Sequence, residues 1–264
     1  MLAFEWLVVA YIGSLGAMAL ASLVWSFVGR GAKRRGRDGL ALGSVAAVML
    51  LVWAAAHAAP LWLRVWLANL YLVCGYWIPA LLVPAAADAT EVTRFEAWLT
   101  RSDVVCRSRL PHLPRVVQAL TEMAYLLCYP LVPLAFLVVW SDGSPADGAR
   151  FWMTVLLAGF ASYASLPWLV SRPPKRDPSI GHATARLNRY VLARVSHSWT
   201  TFPSGHVAVS CAAALAVARV SPLAGTCIGV IAIGVSVGAA AGRYHYVIDV
   251  LVGVVVALVA VVIT

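Results

Sequence analysis

Charged side chains are scarce in this chain: only 12% of its 264 residues are Asp, Glu, Lys or Arg, against 62% hydrophobic, and the mean hydropathy is +0.84. A soluble domain of this length needs more polar surface than such a composition provides. A soluble protein is therefore excluded, and a bilayer must act as the solvent. Acidic residues are the rarer sign, 11 against 20 basic, for a net charge of +9. The basic residues fall between apolar runs, where they orient helices or meet anionic lipid heads. No basic stripe with interleaved aromatics is present, so nucleic acid is not an expected partner. Cysteine is sparse and odd in number: Cys74, Cys106, Cys128, Cys211 and Cys227 are scattered, four of them within apolar runs. That pattern excludes a disulfide framework or a cysteine metal site and leaves packing roles. Positive charge is missing ahead of the first apolar run, where Glu5 stands, and the run is as long as a full span. A cleaved signal peptide is not expected there. No internal repeat with broken helices is seen, which counts against a transporter.

Apolar runs bounded by charge or proline lie near 5 to 29, 40 to 59, 65 to 86, 117 to 140, 151 to 170, 206 to 220, 223 to 242 and 246 to 264. A spanning helix takes about 20 such residues. The expected fold is an all-α polytopic bundle of about six to eight transmembrane helices, counted as eight. Residues 1–60 would form accessory helices and residues 61–264 a catalytic transmembrane domain. The 40 to 86 region is interrupted only by Pro60 and Arg64, so a hairpin, a re-entrant segment or a single crossing are all compatible with it. Between the runs lie a basic turn (Arg30, Lys33, Arg34, Arg35, Arg37) and a mixed-charge stretch at 87 to 116. Phe95, Trp98 and Leu99 among the charges of that stretch suit an interfacial helix, with a solvated loop as the alternative. Gly225, Gly229, Gly234, Gly238 and Gly242 recur through one run, and small residues so placed let helices approach closely. Packing against the neighbouring catalytic spans is the preferred reading over a dimer face. No oligomeric state is assigned.

Three polar clusters sit at run ends in the last hundred residues: Ser171-Arg172-Pro173-Pro174-Lys175-Arg176, Phe202-Pro203-Ser204-Gly205-His206 and Gly242-Arg243-Tyr244-His245-Tyr246-Val247-Ile248-Asp249. Two crossings separate the second from the third, so all three can meet at one membrane face. Pro203 suits the first turn of a helix, and the Ser204 hydroxyl with the free N–H groups after it would form an anion site of the phosphate kind. Gly205 would leave room for the phosphate, with His206 in the same turn as a proton donor. His245 and Asp249, four apart, would share a helix face, so that the carboxylate holds one ring nitrogen while the other attacks phosphorus. Arg172 and Arg243 offer guanidinium forks for phosphate oxygens. Taken singly, each is as readily a cap, an anchor or an orientation signal. Their grouping at one face favours a site, because ionisable residues are costly at the membrane edge.

These residues resemble the type 2 phosphatidic acid phosphatases, whose signature has three parts: Lys-x6-Arg-Pro, Pro-Ser-Gly-His and Ser-Arg-x5-His-x3-Asp. The resemblance covers about residues 61 to 264. Pro203-Ser204-Gly205-His206 matches in full, Arg172-Pro173 matches the end of the first part and His245-x3-Asp249 the end of the third. The resemblance implies a phosphohistidine at His245 oriented by Asp249, with His206 as acid for the leaving group. It assigns phosphate binding to Arg172, Ser204 and Gly205, with no metal and no cofactor. Ser165 stands where the first part has Lys, and Ala239 where the third has Arg. Lys175 or Arg176 would replace the former and Arg243 the latter. The compact Arg-Tyr-His-Tyr form is similar to the branch that includes inositolphosphorylceramide synthases.

The expected activity is metal-independent hydrolysis of a phosphomonoester or diphosphate on a membrane lipid, of the phosphatidate, phosphatidylglycerol phosphate or polyprenyl diphosphate class. The alternatives are a phosphotransferase with the same covalent intermediate, or a non-catalytic scaffold or transporter. The expected location is the cell (plasma) membrane. The resemblance favours an outward-facing site, which requires that the 40 to 86 region cross only once, so that the basic turn at 30 to 37 lies opposite the site.

Overall fold

The computed structural model describes residues 1–27, 32–83, 93–108, 114–175, 183–197 and 199–264. The chain is an all-α membrane bundle. Its helices are α1 (Ala3–Phe27), α2 (Ala32–Ala58), α3 (Leu61–Leu81), α4 (Arg94–Arg107), α5 (Arg115–Leu126), α6 (Cys128–Asp142), α7 (Pro145–Tyr163), α8 (Ala183–Val195), α9 (Gly205–Ala218), α10 (Pro222–Ala241) and α11 (Val247–Ile263). Long apolar runs take this form because in hydrocarbon only a helix satisfies every backbone N–H and C=O within the segment. Strand pairing among the described residues is limited to one isolated bridge, Ser171 with Thr200.

Each of the eight apolar runs is helical, with one of them divided into α5 and α6. Helices α1, α2, α3 and α10 are individually long and apolar enough to cross a bilayer, and α5 with α6 passes jointly as a pair bent by 61°. Pro130 accounts for the break, since it gives no N–H to the preceding turn and its ring crowds the carbonyl of Leu126. By length and composition alone, four of the described helices qualify as spans, or five with the bent pair. The remaining helices owe their place to burial more than to length. At 14 and 17 residues, α9 and α11 measure about 21 and about 26 Å, short of the hydrocarbon thickness of about 30 Å. Helix α7 begins with Asp147 and Arg150 and forms the centre of the bundle, with Phe151, Trp152, Val155 and Leu156 almost fully buried.

The 40 to 86 region is two helices, not one crossing. Arg64 near the start of α3 pairs with Glu5 near the start of α1, Nη2 to Oε2 at 2.6 Å. At the other end, Arg37 near the start of α2 donates from Nη2 to the carbonyl of Ala80 near the end of α3, at 2.9 Å. The start of α2 therefore lies at the same end of the bundle as the end of α3. Following the chain onward through the α5–α6 pair and α7, the loop after α7 returns to that end. Arg37 at the start of α2 and the described parts of the three polar clusters thus share one end of the bundle, and the single crossing assumed for an outward-facing site is replaced by two helices. Arg30 lies outside the described residues.

The first two helices are not peripheral to the core. Tyr11 on α1 stacks on Phe160 on α7, centroids 4.1 Å apart, and its hydroxyl donates to the carbonyl of Gly75. Of the glycines in α10, Gly234 and Gly238 face α5: a Cβ at Gly234 would stand 2.7 Å from Ala124 Cβ, and one at Gly238 would run into the carbonyl of Thr121. Close packing within the chain is what this stripe provides. The five cysteines are all free thiols.

Candidate active site

The mixed-charge stretch contains a true helix, α4, and it buttresses the site. Thr93 caps it, Oγ1 accepting from the Glu96 N–H at 3.0 Å. Leu99 is fully buried, and Phe95 and Trp98 lie edge-on to Phe202, just ahead of the Pro-Ser-Gly-His segment. Asp103 holds Arg107 at 2.5 Å and accepts the Val247 N–H at 3.0 Å, so α4 caps the start of α11 with a carboxylate, where the helix dipole favours negative charge. Arg107 in turn donates to the carbonyl of Ala240 at the end of α10.

Hydrogen bonds tie the three polar clusters directly to one another. Ser171 and Thr200 pair through both backbone and hydroxyl groups. The N–H of Ser204 donates to the carbonyl of Asp249 at 3.0 Å, and Nη1 of Arg243 donates to the carbonyl of Lys175 at 2.8 Å. Ser165 Oγ donates to the carbonyl of Phe202, holding that segment against the end of α7.

His245 is not on a helix. It lies in the turn between α10 and α11, where the N–H groups of Tyr244 and His245 both donate to the carbonyl of Ala239 and Arg243 takes a positive φ of 54°. Asp249 is the third residue of α11, and its Oδ2 reaches back to accept the N–H of Tyr246 at 3.1 Å. The same oxygen stands 3.5 Å from His245 Nδ1, an ion-pair approach longer than a hydrogen bond. The His–Asp pairing therefore comes from helix-cap geometry and not from a shared helix face. His245 is only 4% exposed, and burial lowers its pKa to about 4, so the imidazole is neutral near pH 7.

His206, in the first turn of α9, stands with its ring 5.8 Å from that of His245 and is surrounded by Tyr76, Tyr125 and Tyr129. Ser204 is the N-cap of α9, but its hydroxyl makes no capping bond and is buried without a partner among the described residues. Pro203 precedes the helix instead of opening it. Gly205 is required by the Tyr163 ring: a Cβ would run into Cε1 and come within 3.0 Å of Cδ1. This packing gives the glycine a reason of its own, beside the room for phosphate expected from the sequence.

A cavity of about 380 Å³ opens between these elements, lined by His206, His245 and His197, by Tyr76, Tyr244 and Trp199, and by residues of α8. Arg172 sits beside it, half-buried, with its guanidinium carbon 5.8 Å from the centre of the Trp199 ring. Arg243 and the exposed Lys175 do not line it, and Arg176 lies outside the described residues. Among the described residues no group of three or more His, Cys, Asp or Glu is arranged to hold a metal ion.

Two features were missed in the sequence. One is a buried polar network behind the site: Glu122 on α5 accepts from the hydroxyl of Tyr244 and from Asn188 on α8. A lone carboxylate inside an apolar run was the available signal. The other is His197, which no motif marks.

The bundle thus gathers two histidines, a carboxylate beside one of them and, near Trp199, Arg172 around one cavity. Residues 147–264 match the model of the PAP2 superfamily, in line with the resemblance read from the motifs. That match supports a phosphatase or lipid-phosphatase-like function in general terms. No curated protein and no solved structure matches the chain.

Proposed function

We propose that the protein is a lipid-phosphate phosphatase working through a phosphohistidine at His245. The observation that carries this reading is the pair of histidine rings 5.8 Å apart on one cavity, with Asp249 behind only one of them. With Nδ1 turned to Asp249, Nε2 is the nitrogen free to attack, so the two histidines have different tasks. The N–P bond forms as the phosphorus–oxygen bond to the lipid breaks, and His206 supplies the proton taken by the departing oxygen. Water then cleaves the N–P bond to release inorganic phosphate. Arg172, with Ser204 and the backbone at the start of α9, would stabilise the phosphoryl oxygens. Arg243 and Lys175 would assist, while Gly205 acts by letting the helix start close to Tyr163. The 3.5 Å approach of Asp249 would tighten once His245 acquires positive charge.

Residues 1–60 are proposed as accessory helices on a catalytic domain of residues 61–264, in the plasma membrane. The substrate class is phosphatidate, phosphatidylglycerol phosphate or a polyprenyl diphosphate. Release of inorganic phosphate from a panel of these lipids by the purified protein tests the reading. The compact Arg-Tyr-His-Tyr motif keeps transfer to an alcohol as the second reading. Transfer predicts head-group exchange when an alcohol lipid is added, with little phosphate released in its absence.

Turnover is expected to persist in excess EDTA and to be inhibited by orthovanadate, because the site offers imidazole and guanidinium groups and not the cluster of oxygen ligands that Mg²⁺ requires. Loss of activity in EDTA that Mg²⁺ restores would contradict the metal-free mechanism.

The pH dependence follows from His245. Its neutral form attacks, and its folded pKa of about 4 lies below the ordinary value, so protonation removes the nucleophile only as pH falls through about 4. We expect no loss of kcat/KM through His245 as pH is lowered from 7 to 5, and a loss below that. An acid limb centred near 6.5 would show an ordinary, solvated histidine instead.

A further inference from the structure

His197 lies between α8 and α9, nine residues before His206, and the mechanism above gives it no task. Its ring stacks on Tyr76, centroids 4.3 Å apart at 18°, and meets the ring of Trp77 edge-on. The Tyr76 hydroxyl bonds Ser196 Oγ at 2.6 Å, and Ser196 Oγ donates to the carbonyl of His197, so ring and backbone are both held. The Trp199 N–H points at Nδ1 from 3.4 Å. Nδ1 is then the acceptor nitrogen, and the ring proton resides on Nε2. That Nε2 is buried and has no partner among the described residues, although the same ring lines the cavity that His206 and His245 line. A buried N–H left without an acceptor is costly, and native interiors rarely keep one without a reason. A ligand oxygen in the cavity would supply the missing acceptor.

Charge favours this role. Burial lowers the His197 pKa to about 4, so the ring is neutral near pH 7 and donates through Nε2–H without placing another positive charge beside His206 and His245. Two fixed neighbours, the Tyr76 ring and the Trp199 N–H, set the ring plane before any ligand arrives. A donor so preorganised loses little freedom when it engages a phosphoryl oxygen.

We infer that His197 is a further substrate-binding residue, its Nε2–H donating to a non-bridging oxygen of the phosphoryl group in the cavity. The inference rests on the phosphatase reading and adds a donor from the α8–α9 segment, outside the three polar clusters.

The test measures orthovanadate binding by calorimetry on the full-length protein in detergent, for the wild type, His197→Phe and His197→Gln. Phe preserves a ring against Tyr76 and removes the donor, whereas Gln supplies an amide N–H. The Kd for vanadate should rise about tenfold or more in His197→Phe, the size of one hydrogen bond, and stay within about threefold of wild type in His197→Gln. Wild-type affinity in His197→Phe would overturn the inference. Equal weakening in both variants would also overturn it, since the ring and not the donor would then matter. Should the Phe variant fail to fold by thermal melting, His197→Met against His197→Gln poses the same contrast at similar volume. His245→Ala, assayed alongside for phosphate release, separates the two levels. If it abolishes release while His197→Phe binds vanadate normally, only the role of His197 fails. If it leaves release intact, the phosphatase reading itself fails.

Discussion

Replacing His245 by Ala is expected to lower turnover by about 10⁴-fold or more, because the covalent route loses the atom that attacks phosphorus. His206→Ala should cost about 10²- to 10⁴-fold, the usual range for a positioned proton donor. Asp249→Asn should retain more activity than either, since it changes the orientation and charge felt by Nδ1 without deleting a reacting atom. The order of the three is diagnostic. If Asp249 were the nucleophile, or if His206 and His245 exchanged roles, Asp249→Asn or His206→Ala would be the most damaged. Protein quenched in alkaline detergent during turnover of a ³²P-lipid should carry an acid-labile, base-stable phosphate in the wild type and none in His245→Ala. Near-wild-type turnover of His245→Ala, in a preparation shown to be free of host phosphatases, would remove the assignment.

The parts of this site that were legible in the sequence are those set by local pattern. Apolar runs about as long as a bilayer is thick became helices, because hydrocarbon leaves the backbone no other partner. The Pro-Ser-Gly-His segment opens α9 and the His245-x3-Asp249 segment opens α11, and both ends meet because α9 and α10 together bring the chain back to its starting face. What could not be read depends on contacts between distant residues. The Asp103 carboxylate that caps α11 is 144 residues from Val247, and Glu122 is 122 residues from Tyr244. The meeting of His245 with Asp249 was anticipated for a different geometric reason, a helix face where the chain uses a cap. The single crossing between 40 and 86 failed because Pro60 begins a new helix instead of bending one: its φ of −66° suits a helix start and its ring tolerates no preceding helical turn.

Gly205 gives the second large effect, and it separates two explanations of the same residue. A Cβ at this position would enter the ring of Tyr163, whose side chain is buried at the end of α7 and meets Tyr76 edge-on, 5.4 Å between centroids. Tyr163 is buried and packed against Tyr76, so Gly205→Ala is expected to cost about 1–3 kcal/mol of stability, as overpacking generally does. It should also push the start of α9 outward, displacing Ser204 and His206 together. Misplacement of reacting groups by about 1 Å can cost about 10²-fold in rate, and we expect kcat for Gly205→Ala to fall by about that factor. The second-site change Tyr163→Leu removes the colliding edge. If packing against Tyr163 is the reason for glycine, Gly205→Ala combined with Tyr163→Leu should recover most of the activity of Tyr163→Leu alone. If the glycine instead leaves room for the phosphoryl group, the methyl still intrudes on the substrate and the double variant stays as slow as Gly205→Ala. Both outcomes are read from kcat and from thermal melting of four proteins, the wild type, the two single variants and the double, which together form a cycle whose coupling energy measures the contact.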